Sequence, residues 1–289
     1  MKNADLHTHS HYSSDGTVSP TNLIKEAKKI GLKYIALTDH DSVNGVPEAI
    51  RAGKKYGVKV IPGAEIHSKF GEVLAYFIDH KDERIIGLCE RNKKAVHKRA
   101  LKTIKKLAKD GYILNPNKIL KKHKREILER PLIAMELVDR GYAEDFRDAF
   151  NRFLGANKKY HIKTNLLSTE KVVKIIASVG GVAVLAHPYY EDYKSEFKNI
   201  RKLIKAGLVG IECPDIAKKM NKNEFRNPKE YDHIIKVAKK IHQVAEKNNL
   251  IITSGSDYHG ANSPHNMFGL VNCDESIIEA LKIKAENNR

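Results

Sequence analysis

The chain is poor in cysteine. Its three, Cys89, Cys213 and Cys273, are scattered. They can build neither a disulfide framework nor a thiolate zinc site, and a reducing cytoplasm is the expected compartment. No run of about 18 apolar residues occurs, which excludes a transmembrane helix. The opening MKNADLHTHS has no apolar stretch and no small-residue cleavage site, so no signal peptide is expected. A phosphate-binding P-loop is also missing. Gly16, Gly63, Gly255 and Gly260 stand singly and read as tight-turn positions. Acid is scarce relative to base, with 35 Asp and Glu against 52 Lys and Arg, a net charge of +17. Much of that excess lies in residues 91–125, where acid is nearly absent. Such charge suits a polyanionic partner, although solvated lysine-rich helices would carry it equally well.

Apolar residues make up 41% of the 289 positions, enough for one large domain or two smaller ones. The first segment alternates short apolar runs with helical patterns. Strands are predicted at Ala4–Leu6, Tyr34–Thr38, Val58–Pro62 and Val73–Ile78. Helices are predicted at Thr21–Ile30, closed by Gly31, and at Val46–Tyr56, closed by Gly57. Residues 82–110 read as one long helix, and basic helical sequence continues to about Ile162. The βα rhythm then resumes with strands at Gly181–Ala186, Val209–Cys213 and Leu250–Ser254, and helices at Glu170–Ser178, Ile200–Ala206, Tyr231–Asn248 and Glu275–Glu286. This pattern predicts an α/β fold with a parallel sheet and outer helices: a distorted (β/α)7-type barrel formed by residues 1–97 and 168–289, with a helical insert at 98–167. Barrels of this kind carry their chemistry at the C-terminal ends of the strands.

Histidines and acids gather at those ends. Asp5-Leu6-His7-Thr8-His9 begins the chain's first strand, with Asp15-Gly16 just beyond. Thr38-Asp39-His40-Asp41 follows the second strand and Gly63-Ala64-Glu65 the third. Ala186-His187-Pro188 and Gly255-Ser256-Asp257-Tyr258-His259-Gly260 follow later ones. Residues two apart on an extended strand face one side, so His7 with His9, and Asp257 with His259, can address one centre. A single histidine at a strand end is ordinarily just hydrogen-bonded or solvated. Gathering this many imidazoles and carboxylates in one partly buried pocket is costly without cations. Donors of this type without thiolate suit Mn, Fe or Zn, and more than four of them imply two or three divalent ions.

The pieces DLHTHSHYSSDG, IALTDHDS, VIPGAEI, LAHP and GSDYHG, in this order over nearly the whole chain, resemble the PHP (polymerase and histidinol phosphatase) metal-dependent phosphoesterases. The similarity is greatest to the stand-alone members that cleave nucleotide phosphates, which have a helical insert after the third motif. The resemblance implies that His7, His9, Asp15, His40, Glu65, His187, Asp257 and His259 ligate the ions. Glu72 stands where many members carry a histidine, and a carboxylate can also ligate. His67 is nearby but out of register and reads as a surface-loop histidine. Asp15, His187 and Asp257 are the candidate proton relays, and Asp39 is a candidate to orient a ligand.

Members often read Arg-Pro-His in the insert, where this chain has Arg130-Pro131-Leu132. Arg130 is therefore the candidate phosphate contact, its planar fork matching phosphate oxygens. The plainer alternative is a helix-flanking arginine before a first-turn proline. Leu132 cannot replace a histidine. Lys158, Lys159 and Arg152 are not set apart from the general lysine excess, and Cys213 reads as a small core residue.

The activity implied is metal-dependent hydrolysis of nucleotide phosphomonoesters such as 3′,5′-nucleoside bisphosphates, by in-line attack of an activated water. Action as a 5′→3′ exonuclease on short oligonucleotides would extend the same chemistry. Histidinol-phosphate hydrolysis and a non-catalytic nucleic-acid-binding role are the alternatives. The expected partner is a nucleotide or short oligonucleotide, with no membrane.

Overall fold

A computed structural model describes residues 3–156, 158–188, 197, 199–213, 228–260, 268–269 and 273–288. It divides into two compact units, one of Met1–Cys89 with Leu167–Arg289 and the other of Glu90–Leu166.

The first unit is built on seven strands: β1 (Ala4–Thr8), β2 (Tyr34–Leu37), β3 (Lys59–Ser68), β4 (Gly71–Tyr76), β5 (Val182–Leu185), β6 (Leu208–Glu212) and β7 (Ile251–Thr253). They lie side by side in chain order. The chain beyond β7 returns to β1. Leu6 N donates to Ser254 O (3.4 Å), Asp257 N to His7 O (2.9 Å) and His9 N to Tyr258 O (2.8 Å). The result is a distorted seven-stranded barrel.

The expected all-parallel sheet needs one correction. β1, β2 and β3 are parallel, and so are β5, β6 and β7, but β4 runs antiparallel to both neighbours. Only Lys69 and Phe70 separate β3 from β4, and so short a link permits only a hairpin. β3 is also longer than its apolar run. Lys59–Pro62 pair with β2, and Gly63–Ser68 pair with β4. The strand changes partner at Pro62-Gly63, so the proline and glycine mark a handover and not an end.

Side chains alternate across the sheet. Ile35 and Leu37 face outward into a layer with Leu23, Ile24 and Ala27 of α1 (Pro20–Lys29) and Ala49 and Ala52 of α2 (Val46–Tyr56). Tyr34 and Ala36 face inward, onto Leu6, Ile61, Leu74, Tyr76, Val182 and Val184. Ile278, Leu281 and Ala285 of the last helix (Glu275–Asn287) join this inner cluster. They cover the end of the barrel where Ala4, Tyr34 and Val182 begin their strands. Polar groups occupy the opposite end.

α3 (Glu83–Ala108) gives Ile85, Leu88 and Cys89 to the first unit's core. Its later residues Ala100, Ile104 and Leu107 belong to the second unit's core. That core is completed by Ile119 of α4 (Pro116–His123), by Leu132, Ile133 and Leu137 of α5 (Arg130–Asp139) and by Phe153, Leu154 and Tyr160. Among the described residues, no helix is long and apolar enough to cross a membrane.

Candidate metal centre

Glu65 lies at the middle of the polar end. Its position within β3, not in a loop beyond it, turns a fully buried carboxylate inward. One oxygen, Oε2, stands 3.2 Å from His7 Nε2, 3.4 Å from His9 Nε2 and 3.0 Å from His40 Nδ1. The other, Oε1, is 2.7 Å from His187 Nε2. Asp257 Oδ1 lies 3.4 Å from His7 Nε2 and 3.2 Å from His9 Nε2. Asp15 Oδ1 is 3.4 Å from His259 Nε2, and Glu72 Oε2 is 3.5 Å from His187 Nε2. All nine candidate ligands thus meet at one end of the barrel. Among the described residues, three overlapping groups could each hold an ion: His7, Glu65, His187 and Asp257; His9, His40 and His259; and His40 and Glu72 with His67, while Asp15 stands beside His259 outside all three.

The imidazoles are aimed by what holds their outer nitrogens. His7 Nδ1 faces both oxygens of Glu212 at 3.0 and 3.1 Å. His9 Nδ1 faces Ser13 Oγ at 3.0 Å, and that hydroxyl donates to Asp39 Oδ1 at 3.1 Å. His259 Nδ1 donates to the Asp257 carbonyl at 2.8 Å, and His67 Nδ1 faces Asp41 Oδ2 at 2.7 Å. Each acceptor selects the tautomer protonated at Nδ1 and leaves the Nε2 lone pair facing inward. Asp39 thus reaches the candidate ligands through Ser13, whose hydroxyl oxygen meets the ring of His9 and also accepts from the backbone N of His40 at 2.9 Å.

Two aspartates at the site hold the left-handed backbone conformation that non-glycine residues rarely adopt, Asp41 at φ 44° and Asp257 at φ 53°. Such backbone persists where the surroundings over-determine it. Asp257 N donates to His7 O and Asp41 N to Glu65 O, so each is tied to the backbone of a candidate ligand. Asp5 Oδ1 accepts from both His7 N and Ser256 N and joins β1 to the loop carrying Asp257 and His259. A Cβ on Gly255 would lie 2.3 Å from His7 Cβ, so this glycine serves close backbone approach.

The electrostatics are those of a mixed cluster. Burial, with the charges of His259 and His40 adding to it, pushes His9 down to about 3. Burial opposes the charged form of His187, but Glu65 outweighs it and raises the group to about 10. His67 also reaches about 10, burial being outweighed by Asp41 and Glu72. Burial and the Glu65 charge push Glu72 up, yet His67 and His40 bring it down to about 2.

A divalent cation fits this donor set. His9 Nε2, His40 Nδ1, His259 Nε2, Asp15 Oδ1 and Asp257 Oδ1 are buried and make no hydrogen bond. Unsatisfied polar atoms are expensive when buried, and convergent ones bearing lone pairs are what an ion requires. The donors are nitrogen and carboxylate oxygen without sulfur, suited to Mn, Fe or Zn.

The sequence reading missed two residues here. Glu212, on β6, holds His7 and also accepts from His187 N at 2.8 Å. It was legible as the one acid in the apolar run VGIEC. His67 sits two residues beyond Glu65 on one strand, the same spacing that links His7 to His9. Its side chain is only 13% exposed, so the surface-loop reading does not hold.

In the second unit, Arg130 is the first residue of α5, followed by Pro131, and its guanidinium lies 5.7 Å from the centre of the Phe150 ring. Leu132 is a core residue of the insert and offers nothing polar. His161 is pushed below its ordinary value by burial and then by the charges of Arg130, Arg99, Lys163 and Lys106, which marks a cationic cluster.

Comparison with known proteins places the chain in a family. The PHP domain family model matches residues 5–253. A 5′-3′ exoribonuclease of Haemophilus influenzae is 32% identical over 241 residues, 80% of this chain and 86% of that protein. A 3′,5′-nucleoside bisphosphate phosphatase of Chromobacterium violaceum is 29% identical over 277 residues, 90% of this chain and 88% of the other. A solved structure from Bifidobacterium adolescentis, given a provisional assignment as a metal-dependent phosphoesterase, superposes with a TM-score of 0.82. It is 27% identical and the match covers 98% of this chain and 96% of that one. With that match running from the first histidine motif to β7, the chain belongs to the PHP domain family and is a metal-dependent phosphoester hydrolase.

Proposed function

We propose that the protein hydrolyses phosphomonoesters of nucleotides, 3′,5′-nucleoside bisphosphates foremost, using two or three divalent ions. The observation that carries the reading is Glu65, one buried carboxylate facing four imidazoles, a concentration of donors that would suit more than one divalent ion. His7, Glu65, His187 and Asp257 would hold one ion, and His9, His40 and His259, with Asp15 beside His259, another. Ions bound there would polarise phosphoryl oxygens and supply a nucleophilic water at neutral pH.

The chain's own residues do the rest. Glu212, Ser13 and the Asp257 carbonyl keep the imidazole rings fixed, so the ligand atoms need no reorganisation during reaction. Asp15 and Asp257 are 21% and 14% exposed, and His187 10%. They are the groups able to pass a proton to the leaving oxygen of the ester. Arg130 would bind a substrate phosphate with its planar fork, and the cations around His161 would favour an anion of more than one phosphate. The names of the two relatives support the substrate class.

The test is phosphate release from adenosine 3′,5′-bisphosphate by manganese-reconstituted protein, with histidinol phosphate and a short 5′-phosphorylated oligoribonucleotide in parallel. Metal-dependent release from the bisphosphate is expected. Release from histidinol phosphate alone would overturn the substrate assignment, and no release from any of the three would overturn the activity.

A further inference from the structure

The part of α3 that belongs to the second unit carries an uninterrupted row of cations. From Arg91 to Lys109 the chain has no acid. Arg91, Lys94, Lys98, Lys102 and Lys105 lie on α3 and Lys109 just past its end, and all six are exposed. They recur at intervals of three and four residues. At about 100° per residue, that spacing keeps them within an arc of roughly 80°. From Arg91 to Lys105 the stripe runs about 21 Å along the helix. Val96, Ala100, Ile104 and Leu107, on the opposite side, are buried.

Among the described residues, none of the six forms an ion pair. The two acids that bracket the stripe are engaged elsewhere, Glu90 with Lys93 at 3.2 Å and Asp110 with Lys159 at 2.8 Å. Like charges three and four residues apart weaken a helix. A helix that is merely solvated balances them, as Thr169–Ser178 does where Glu170 meets Lys174 at 2.9 Å. Arg99 and Lys106, whose charges bear on His161, lie off this arc. A lipid surface is a poor match, because a helix lying on it sinks an exposed apolar face, and that of α3 is already buried. The stripe holds no aromatic side chain on which a base could stack, so what it matches is a row of phosphates.

We propose that this face of α3 binds the phosphate backbone of a single-stranded oligonucleotide without reading its bases. The proposal builds on the nucleotide reading above and adds to it a surface for which a mononucleotide has no use. A strand carries one negative charge per nucleotide, so a stripe of this length spans several phosphates, and each cation engaged releases counterions.

The salt dependence of binding tests this. Manganese-loaded protein is titrated by fluorescence anisotropy with an oligouridylate of about 15 nucleotides, labelled at its 5′ end so that no terminal phosphomonoester is present. One variant combines Lys98→Gln, Lys102→Gln and Lys105→Gln, glutamine being close to lysine in helix propensity. A control of equal net charge combines Lys28→Gln, Lys54→Gln and Lys282→Gln, exposed lysines of other helices. Three lost phosphate contacts should lower the slope of log affinity against log salt by about 2, at about 0.7 each, which is roughly 100-fold weaker binding at about 0.1 M salt. The control should keep the wild-type slope, and oligoadenylate should bind as oligouridylate does. A wild-type slope in the stripe variant, an equal loss in the control, or a stripe that holds phosphatidylglycerol vesicles and not the oligonucleotide would overturn the proposal. If the stripe variant does not fold by circular dichroism, Lys98→Gln alone decides, with a slope change of about 0.7 expected and none overturning it. Phosphate release from adenosine 3′,5′-bisphosphate separates the two readings. The stripe variant should match wild type there, and a loss equal to that for the oligonucleotide would overturn the proposal. No release by wild type would instead overturn the substrate assignment and leave the binding result standing.

Discussion

Glu212→Gln tests whether the outer nitrogens of the histidines matter as much as the inner ones. Glu212 is buried at the end of β6, faces His7 Nδ1 with both oxygens and accepts His187 N at 2.8 Å. Glutamine conserves shape and keeps one acceptor. Its amide N–H₂ cannot accept from His7, and it removes the charge that favours the Nδ1-protonated ring. Loss of such an outer partner typically costs 10–100-fold in metal affinity or activity, about 1.4–2.8 kcal/mol at tenfold per 1.4. The fold should survive, because no cavity is created and at most one buried polar group is left unsatisfied, at about 1–3 kcal/mol. The assay is manganese titration followed by calorimetry and by phosphate release, with thermal unfolding as the control. Wild-type metal affinity and activity in a folded Glu212→Gln protein would refute the argument that this carboxylate sets the His7 tautomer.

Three further outcomes are expected. Arg130→Ala should raise KM for the bisphosphate more than it lowers kcat, since a phosphate clamp acts on ground-state binding, and an unchanged KM would leave Arg130 as a helix-start residue only. Gly255→Ala should lower the melting temperature and metal occupancy together, because the new Cβ would lie 2.4 Å from His7 N and backbone must shift; unchanged values in both would contradict it. Metal uptake at pH 7 should release protons. His187 and His67, held at about 10 by their carboxylate neighbours against the effect of burial, are protonated in the metal-stripped protein and must be neutral to ligate. Apparent metal affinity should therefore rise with pH through neutrality, and calorimetric enthalpies independent of buffer ionisation heat would refute this.

The helices and most strands were legible because their signals are local. Gly31 and Gly57 follow the first two helices, and the period of apolar residues changes between strand and helix. The direction of β4 is not a local property. VLAYFI is apolar on both faces and looks the same whether its neighbours run with it or against it. What betrays its direction is the gap of Lys69 and Phe70, and that gap becomes visible only once β3 is allowed to continue beyond Pro62-Gly63. Ending the strand at the proline had a cost in chemistry as well as topology. It put Glu65 in a loop, where the two-residue alternation does not apply, and so separated His67 from the face that Glu65 addresses.

The same reasoning explains why ligand candidates were easier to find than the residues that aim them. A ligand motif repeats at strand ends and announces itself by number: His7, His9, His40, His187 and His259 form a pattern that no one of them makes alone. The partners of the outer nitrogens are chemically miscellaneous: a carboxylate from β6, a serine hydroxyl, a backbone carbonyl and an aspartate in left-handed conformation. They share no residue type and no spacing, only a position in space. Glu212 lies 205 residues from the ring it holds. The one sequence signal such a residue can give is cost. An acid in the middle of an apolar strand pays desolvation, and a buried charge in a natural protein is paired. Read that way, the Glu in VGIEC and the His in GAEIHS point to the same conclusion: a polar residue with an apolar strand's pattern around it marks a partner that the sequence does not name but the fold must supply.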